Sequence, residues 1–145
     1  MGASKFLTPQ EQRRIVAAIE EAERCTSGEI RVHIESRCSG NPVERAVYLF
    51  DHLKMYETAQ RNGVLIYVAY QSHKLAIWGD EGIHGVVPGD FWDTIKDRLL
   101  QSFSKGAYTD GLVEAIRQAG HQLKTYFPYQ SDDVNEQSDE ISFGD

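Results

Sequence analysis

The run Val64-Leu65-Ile66-Tyr67-Val68-Ala69 has almost no polar side. A strand made from it reads as a central one, covered on both faces. The earlier segment Glu29-Ile30-Arg31-Val32-His33-Ile34-Glu35 instead alternates strictly, the pattern of a strand with one apolar face. Between them Asn41-Pro42 opens a helix, and Val43, Ala46, Val47, Phe50 and Leu53 supply its buried stripe. A strand, a helix and a strand in succession imply a crossover with parallel pairing. Lys74-Leu75-Ala76-Ile77-Trp78 follows after only Gln71-Ser72-His73, so it is expected to return antiparallel as a hairpin.

Helices account for the rest. Thr8-Pro9-Gln10-Glu11 combines a hydroxyl cap, proline at the first helical position and a glutamate three after the cap. It opens a helix over 9–24 whose apolar stripe includes Ile15, Ile19 and Ala22. Phe91, Trp92, Ile95, Leu99 and Phe103 mark a third helix, ended by Gly106. Leu112, Ile116, Ala119 and Leu123 mark a fourth, which Pro128 stops. The order α-β-α-β-β-α-α predicts an α/β fold, a three-layer αβα sandwich around a central mixed sheet.

A chain of 145 residues fits one domain. Its formal charge of -7 argues against nucleic-acid binding, which needs a basic face, and against anionic membranes. The charge is unevenly placed. Residues 131–145 hold six acids and no base, while residues 1–130 are nearly neutral. We therefore expect one domain over 1–130 and an acidic tail over 131–145, solvated in the main. Val134, Ile141 and Phe143 favour some docking of that tail. The sequence has neither a signal-peptide pattern nor an apolar run long enough to span a membrane. A cytoplasmic monomer with Cys25 and Cys38 as reduced thiols is the expectation.

Chemistry concentrates in the segment from Gly79 to Asp93. Asp80, Glu81, Asp90 and Asp93 fall there together, with no Lys or Arg before Lys96. Hard cations such as Ca2+ and Mg2+ take several oxygens at short range, and a glycine-bent acidic loop supplies them. The loop also follows a strand and precedes a helix, where open α/β sheets tend to bind ligands. Ordinary structural roles compete. Asp90 suits a helix N-cap, Asp93 suits the third helical position, and Asp80-Glu81-Gly82 suits a polar turn. The spacing is not that of an EF-hand, and His84 lacks the His and Cys companions of a zinc site. His33 and Glu35 lie on the polar side of their strand and are expected to be solvated, and Glu29 faces either the loop or water. Neither a nucleophile elbow nor a phosphate-binding glycine loop is present, which argues against a Ser or Cys hydrolase. Trp92, Phe103, Tyr126 and Phe127 read as core, and Asp110 as part of a capping turn.

The motifs Thr26-Ser27-Gly28-Glu29-Ile30-Arg31-Val32 and Arg61-Asn62-Gly63-Val64-Leu65-Ile66-Tyr67-Val68 resemble the TPM domain family. Gly82-Ile83, Pro88, Asp90, Phe103, Gly106-Ala107-Tyr108 and Gly111-Leu112 continue the resemblance from about Phe6 to Phe127. The ending Asp132 to Phe143 resembles that of the family's stand-alone cytoplasmic members, although Gln137-Ser138 replaces the Leu-Pro expected there. The resemblance implies a four-stranded αβα sandwich, with a further short strand near 83–87. It also implies divalent-cation binding at the loop after the third strand. Asp90 matches the family's aspartate, whereas His84 stands where many members have Glu. The family includes a thylakoid protein described as an acid phosphatase and an accessory protein of acetylcholine receptors, so one activity does not transfer. Three functions follow as expectations. The first is a regulatory or interaction module that binds Ca2+ or Mg2+ through Asp80, Glu81, Asp90 and Asp93, with loop order following the metal. The second is a metal-dependent acid phosphatase with unassigned catalytic residues. The third is an interaction module acting through the acidic tail on a protein partner.

Overall fold

Thr8 starts the first helix as its pattern requires. Its hydroxyl accepts from the Glu11 amide at 3.1 Å while Glu11 Oε1 accepts from the Thr8 amide at 2.9 Å. This computed structural model describes residues 5–129 and 141–144. Helix α1 (Pro9–Glu23) leads to β1 (Glu29–Glu35), α2 (Pro42–His52), β2 (Gly63–Ala69) and β3 (Lys74–Gly79). A short α3 (Glu81–His84), α4 (Asp93–Ser104), α5 (Tyr108–Tyr126) and β4 (Ser142–Phe143) complete the described chain.

The sheet runs in the order β3-β2-β1-β4. As expected, β1 and β2 pair in parallel, from Glu29↔Gly63 to Glu35↔Ala69, and β3 returns antiparallel against β2. Every residue of β2 is buried. Val64, Ile66 and Val68 belong to the core shared with α1, α4 and α5, which includes Ile15, Ile19, Leu99, Leu112 and Ile116. Leu65, Tyr67 and Ala69 pack on the other side with Ala46, Leu49 and Phe50 of α2. The two cores make the three layers: a helical layer, the mixed sheet, and α2.

Two differences from the sequence reading bear on function. The fourth strand is not near 83–87, where Ile83 instead lies in α3. It is Ser142–Phe143, paired in parallel with His33 and Ile34 of β1. The end of the segment read as a tail therefore completes the sheet, while Val134 and the acids from Asp132 to Glu140 lie outside the described residues. The second difference concerns the polar side of β1. His33 and Glu35 are buried, not solvated, as is Glu29. Strict alternation shows that one face is apolar; it does not show that the other is wet. Here Arg45 reaches from α2 as a counter-ion to Glu35, and Ser142 of β4 lies against His33.

Candidate functional site

The antiparallel turn into β3 decides where the acidic loop lies. Gly79 pairs with Val64, and the Asp80 amide donates to the Gly63 carbonyl at 2.9 Å. The loop is thus at the amino ends of β1 and β2. It is not at the carboxyl ends of the parallel strands, the edge where open α/β sheets bind ligands and where the sequence reading expects it.

Asp80 caps α3, accepting from the Glu81 amide at 2.7 Å. Its side chain is only 5% exposed. Arg61 meets it with two nitrogens, Nε to Oδ2 at 2.8 Å and Nη2 to Oδ1 at 3.0 Å. The same guanidinium donates from Nη1 to Glu81 Oε1 at 3.1 Å, and the Glu81 side chain is 72% exposed. Hydrogen bonding to Asp80 is the main cause that raises the Arg61 pKa, so its charge is fixed.

Local backbone sets up this contact. Arg61 has a φ of 50°, in the left-handed region, at the end of the turn before β2. Gly82 then lies directly on that turn, its amide donating to the Arg61 carbonyl at 2.9 Å. A Cβ at Gly82 would come within 2.2 Å of the Gln60 carbonyl oxygen and 2.6 Å of that of Arg61. Only glycine allows α3 to approach so closely.

The other two candidate carboxylates stand apart. Asp90 and Asp93 are exposed. Asp90 is not the N-cap of α4; Trp92 holds that position without a side-chain cap bond, and the Asp90 carbonyl accepts from the Asp93 amide at 3.0 Å. Asp93 is the first helical residue, not the third, still in the turn where a carboxylate complements the helix dipole. Phe91 is buried, and the Trp92 indole nitrogen would lie 3.4 Å from a Cβ built on Gly79. Trp92 therefore brings the 90–93 segment back to the end of β3. His84 is exposed and its ring lies 5.1 Å from that of Trp78.

Among the described residues no three His, Cys, Asp or Glu side chains converge in a group that could hold a metal ion. As arranged, both Asp80 oxygens are taken, so Asp80 fits a cation only if Arg61 withdraws. Glu81, Asp90 and Asp93 are accessible carboxylates. Asn62, next to Arg61, keeps its Oδ1 buried without a hydrogen-bond partner among the described residues. That neutral oxygen is of the kind hard cations accept.

A second polar cluster lies on the α2 side of the sheet, around His33 and Glu35, the two residues expected to be solvated. Glu35 receives Arg45 Nε at 2.9 Å and Nη2 at 2.9 Å, the Tyr67 hydroxyl, and a longer contact from His33 Nε2 at 3.4 Å. Burial works to raise the Glu35 pKa, but the bonds from Arg45 and Tyr67 and the nearby positive charge outweigh it and hold it below the usual range. Burial holds the His33 imidazole below its ordinary value, against the pull of Glu35. Tyr67 is pushed up, by burial first and then by its bond to Glu35. A histidine two residues before a glutamate on one strand face, with Arg ten residues later on the next helix, is the pattern that carries this cluster in the sequence.

The remaining expected roles divide. Phe127 is buried, Trp92 and Phe103 pack against the core, and Tyr126 is exposed. Asp110 lies in the first turn of α5 and pairs with Arg14 at 2.8 Å. Both cysteines are free, Cys38 buried and Cys25 exposed. No helix among the described residues is long and apolar enough to cross a membrane.

Comparison with known proteins agrees with the fold. The structure of the BA42 protein from the psychrophilic bacterium Bizionia argentinensis superposes with a TM-score of 0.89 at 46% identity, over 94% of each chain. The N-terminal domain of the cg2496 protein from Corynebacterium glutamicum shares the fold at a TM-score of 0.66 and 12% identity, over 92% of this chain and 84% of that one. An N-terminal domain from P. gingivalis does so at 0.66 and 19% identity, over 86% and 82%. Comparison with curated proteins returns no match. The TPM domain family matches residues 3–122, most of the chain, and the chain belongs to that family.

Proposed function

We propose that this TPM domain is a divalent-cation-responsive binding module, with Ca2+ or Mg2+ taken at the acidic edge formed by Asp80, Glu81, Asp90 and Asp93. The observation that carries the reading is the Arg61 guanidinium, a built-in cation bridging Asp80 and Glu81. A divalent cation entering here would replace that charge, with Arg61 withdrawing from Asp80 and Glu81 as the cation takes their oxygens. Trp92 holds the 90–93 segment at the same strand end, which supports its recruitment. Glu81, being exposed, can turn from Arg61 toward a cation at little cost, since a surface ion pair contributes only about 0–1 kcal/mol. The cation would offset the repulsion of the gathered carboxylates and order the loop, and that ordering is what a partner protein would read.

Calorimetric titration tests this. Ca2+ or Mg2+ is expected to give saturable heat with the unmodified chain and much less with Asp90→Ala or Glu81→Gln. Equal heats for all three proteins would remove the assignment, as would no heat for any of them.

A further inference from the structure

The outer edge of β1 accepts a very short strand through specific contacts at four successive positions. Ile141 and Phe143 both pack against the main core. Ser142 Oγ lies 2.6 Å from His33 Nδ1. The Gly144 amide donates to the Ile34 carbonyl at 2.9 Å. A Cβ at Gly144 would fall 2.6 Å from Glu35 Oε1 and 3.1 Å from His33 Nε2, so the close approach is suited to glycine. Each position thus selects a residue type: apolar, hydroxyl, apolar, glycine. The Glu35–Arg45 pair and Tyr67 hold the floor beneath Gly144 rigid.

Strand addition of this kind draws affinity from main-chain bonds and specificity from side-chain subsites. The ladder is only two residues long, His33↔Ser142 and Ile34↔Phe143, so little backbone pairing holds it. A groove of about 600 Å3 along α1, walled by Arg13, Val16 and Ala17, continues beside Ile141. Residues 130–140 join the segment to the rest of the chain, a connection able to span roughly 40 Å when extended. Released, the segment would leave a bare sheet edge, which readily pairs with another strand.

We propose that the β1 edge is a docking groove for an extended apolar-Ser-apolar-Gly segment, filled in cis by residues 141–144 and in trans by the same segment of a second copy of this chain. The second copy is the occupant the observations favour. Its segment meets every subsite identically, and the connection is long enough to reach a neighbour. Exchange of identical elements is a low-cost route to a dimer.

The test uses the full chain carrying Gly144→Val, whose own segment no longer fits, and a fluorescein-labelled peptide of residues 139–145. Anisotropy is expected to show saturable binding to Gly144→Val and binding about tenfold or more weaker to the unmodified chain, whose groove is filled. A peptide with Gly144→Val is expected not to bind, and one with Ser142→Ala to bind several-fold more weakly. An equimolar mixture of Gly144→Val and unmodified chains, at a concentration approaching the roughly millimolar effective concentration of the tether, should contain a two-chain species by light scattering. Failure of the peptide to bind a folded Gly144→Val chain overturns the proposal, as does equal binding of the valine peptide. Peptide binding with no two-chain species overturns the second copy as occupant. Where Gly144→Val does not fold, the unmodified chain decides. Unlabelled peptide at roughly the millimolar effective concentration of a short tether must shift the chain's own Phe143 ring resonances toward free-segment positions, and unchanged resonances overturn the proposal.

Discussion

Arg61 and Asp80 meet at two points, 2.8 and 3.0 Å, across nineteen residues of sequence, and the carboxylate they bury is nearly closed to water. That contact fastens the start of α3 to the turn before β2, and with it the acidic loop to the amino edge of the sheet. It also means that a cation reaches Asp80 only by displacing Arg61.

Arg61→Gln should leave Asp80 buried without its charged partner and lower the stability of the fold. Arg61→Lys should recover only part of this, since an ammonium cannot make the two-point contact. Urea denaturation measures both. If Arg61 and a divalent cation compete for Asp80 and Glu81, the same Arg61→Gln chain should bind Ca2+ several-fold more tightly.

Gly82→Ala should be more damaging than its size suggests. The new methyl would meet two backbone carbonyl oxygens at 2.2 and 2.6 Å, and neither atom can rotate away. We expect a loss of about 1–3 kcal/mol, the range for forcing an extra methyl into a packed site. A midpoint of chemical denaturation equal to that of the unmodified chain would show that α3 does not press on the turn.

Acid should weaken the fold in two stages. His33 has its pKa lowered by burial, so the unfolded chain takes up that proton first. The stability it contributes is complete above about 6.5 and falls as pH drops from there toward the folded value. Glu35 is also lowered, despite its burial, by Arg45 and Tyr67, so its contribution is present above about 4.5 and is lost below. Unfolding free energy measured against pH should show both falls. His33→Gln should flatten the upper one and Glu35→Gln the lower one.

Most of the architecture is legible in residue order. The unbroken apolar run of β2 states that both its faces are covered, and the single polar side of β1 is equally clear. What periodicity does not show is where that polar side goes. His33 and Glu35 read as wet because alternation carries no information about what lies opposite, and Arg45 approaches only once α2 has folded back over the sheet. The fourth strand escapes for a different reason. Ser142-Phe143 is too short to show a period, and it forms because an edge is waiting for it. Within the acidic loop the carboxylates are plain from the sequence, but Arg61 is not, since nothing local ties a residue before β2 to one after β3. The antiparallel hairpin makes that connection.

The acidic edge from Asp80 to Asp93 is proposed above to respond to divalent cations. The most direct measurement is an NMR titration of the full chain with Ca2+ and with Mg2+. Saturable shifts are expected in the amides of residues 79–93 and in the Arg61 Nε–H signal as it leaves Asp80, weakened about tenfold in Asp90→Ala. Shifts confined to other parts of the chain, identical shifts in Asp90→Ala, or an unchanged spectrum would contradict that proposal.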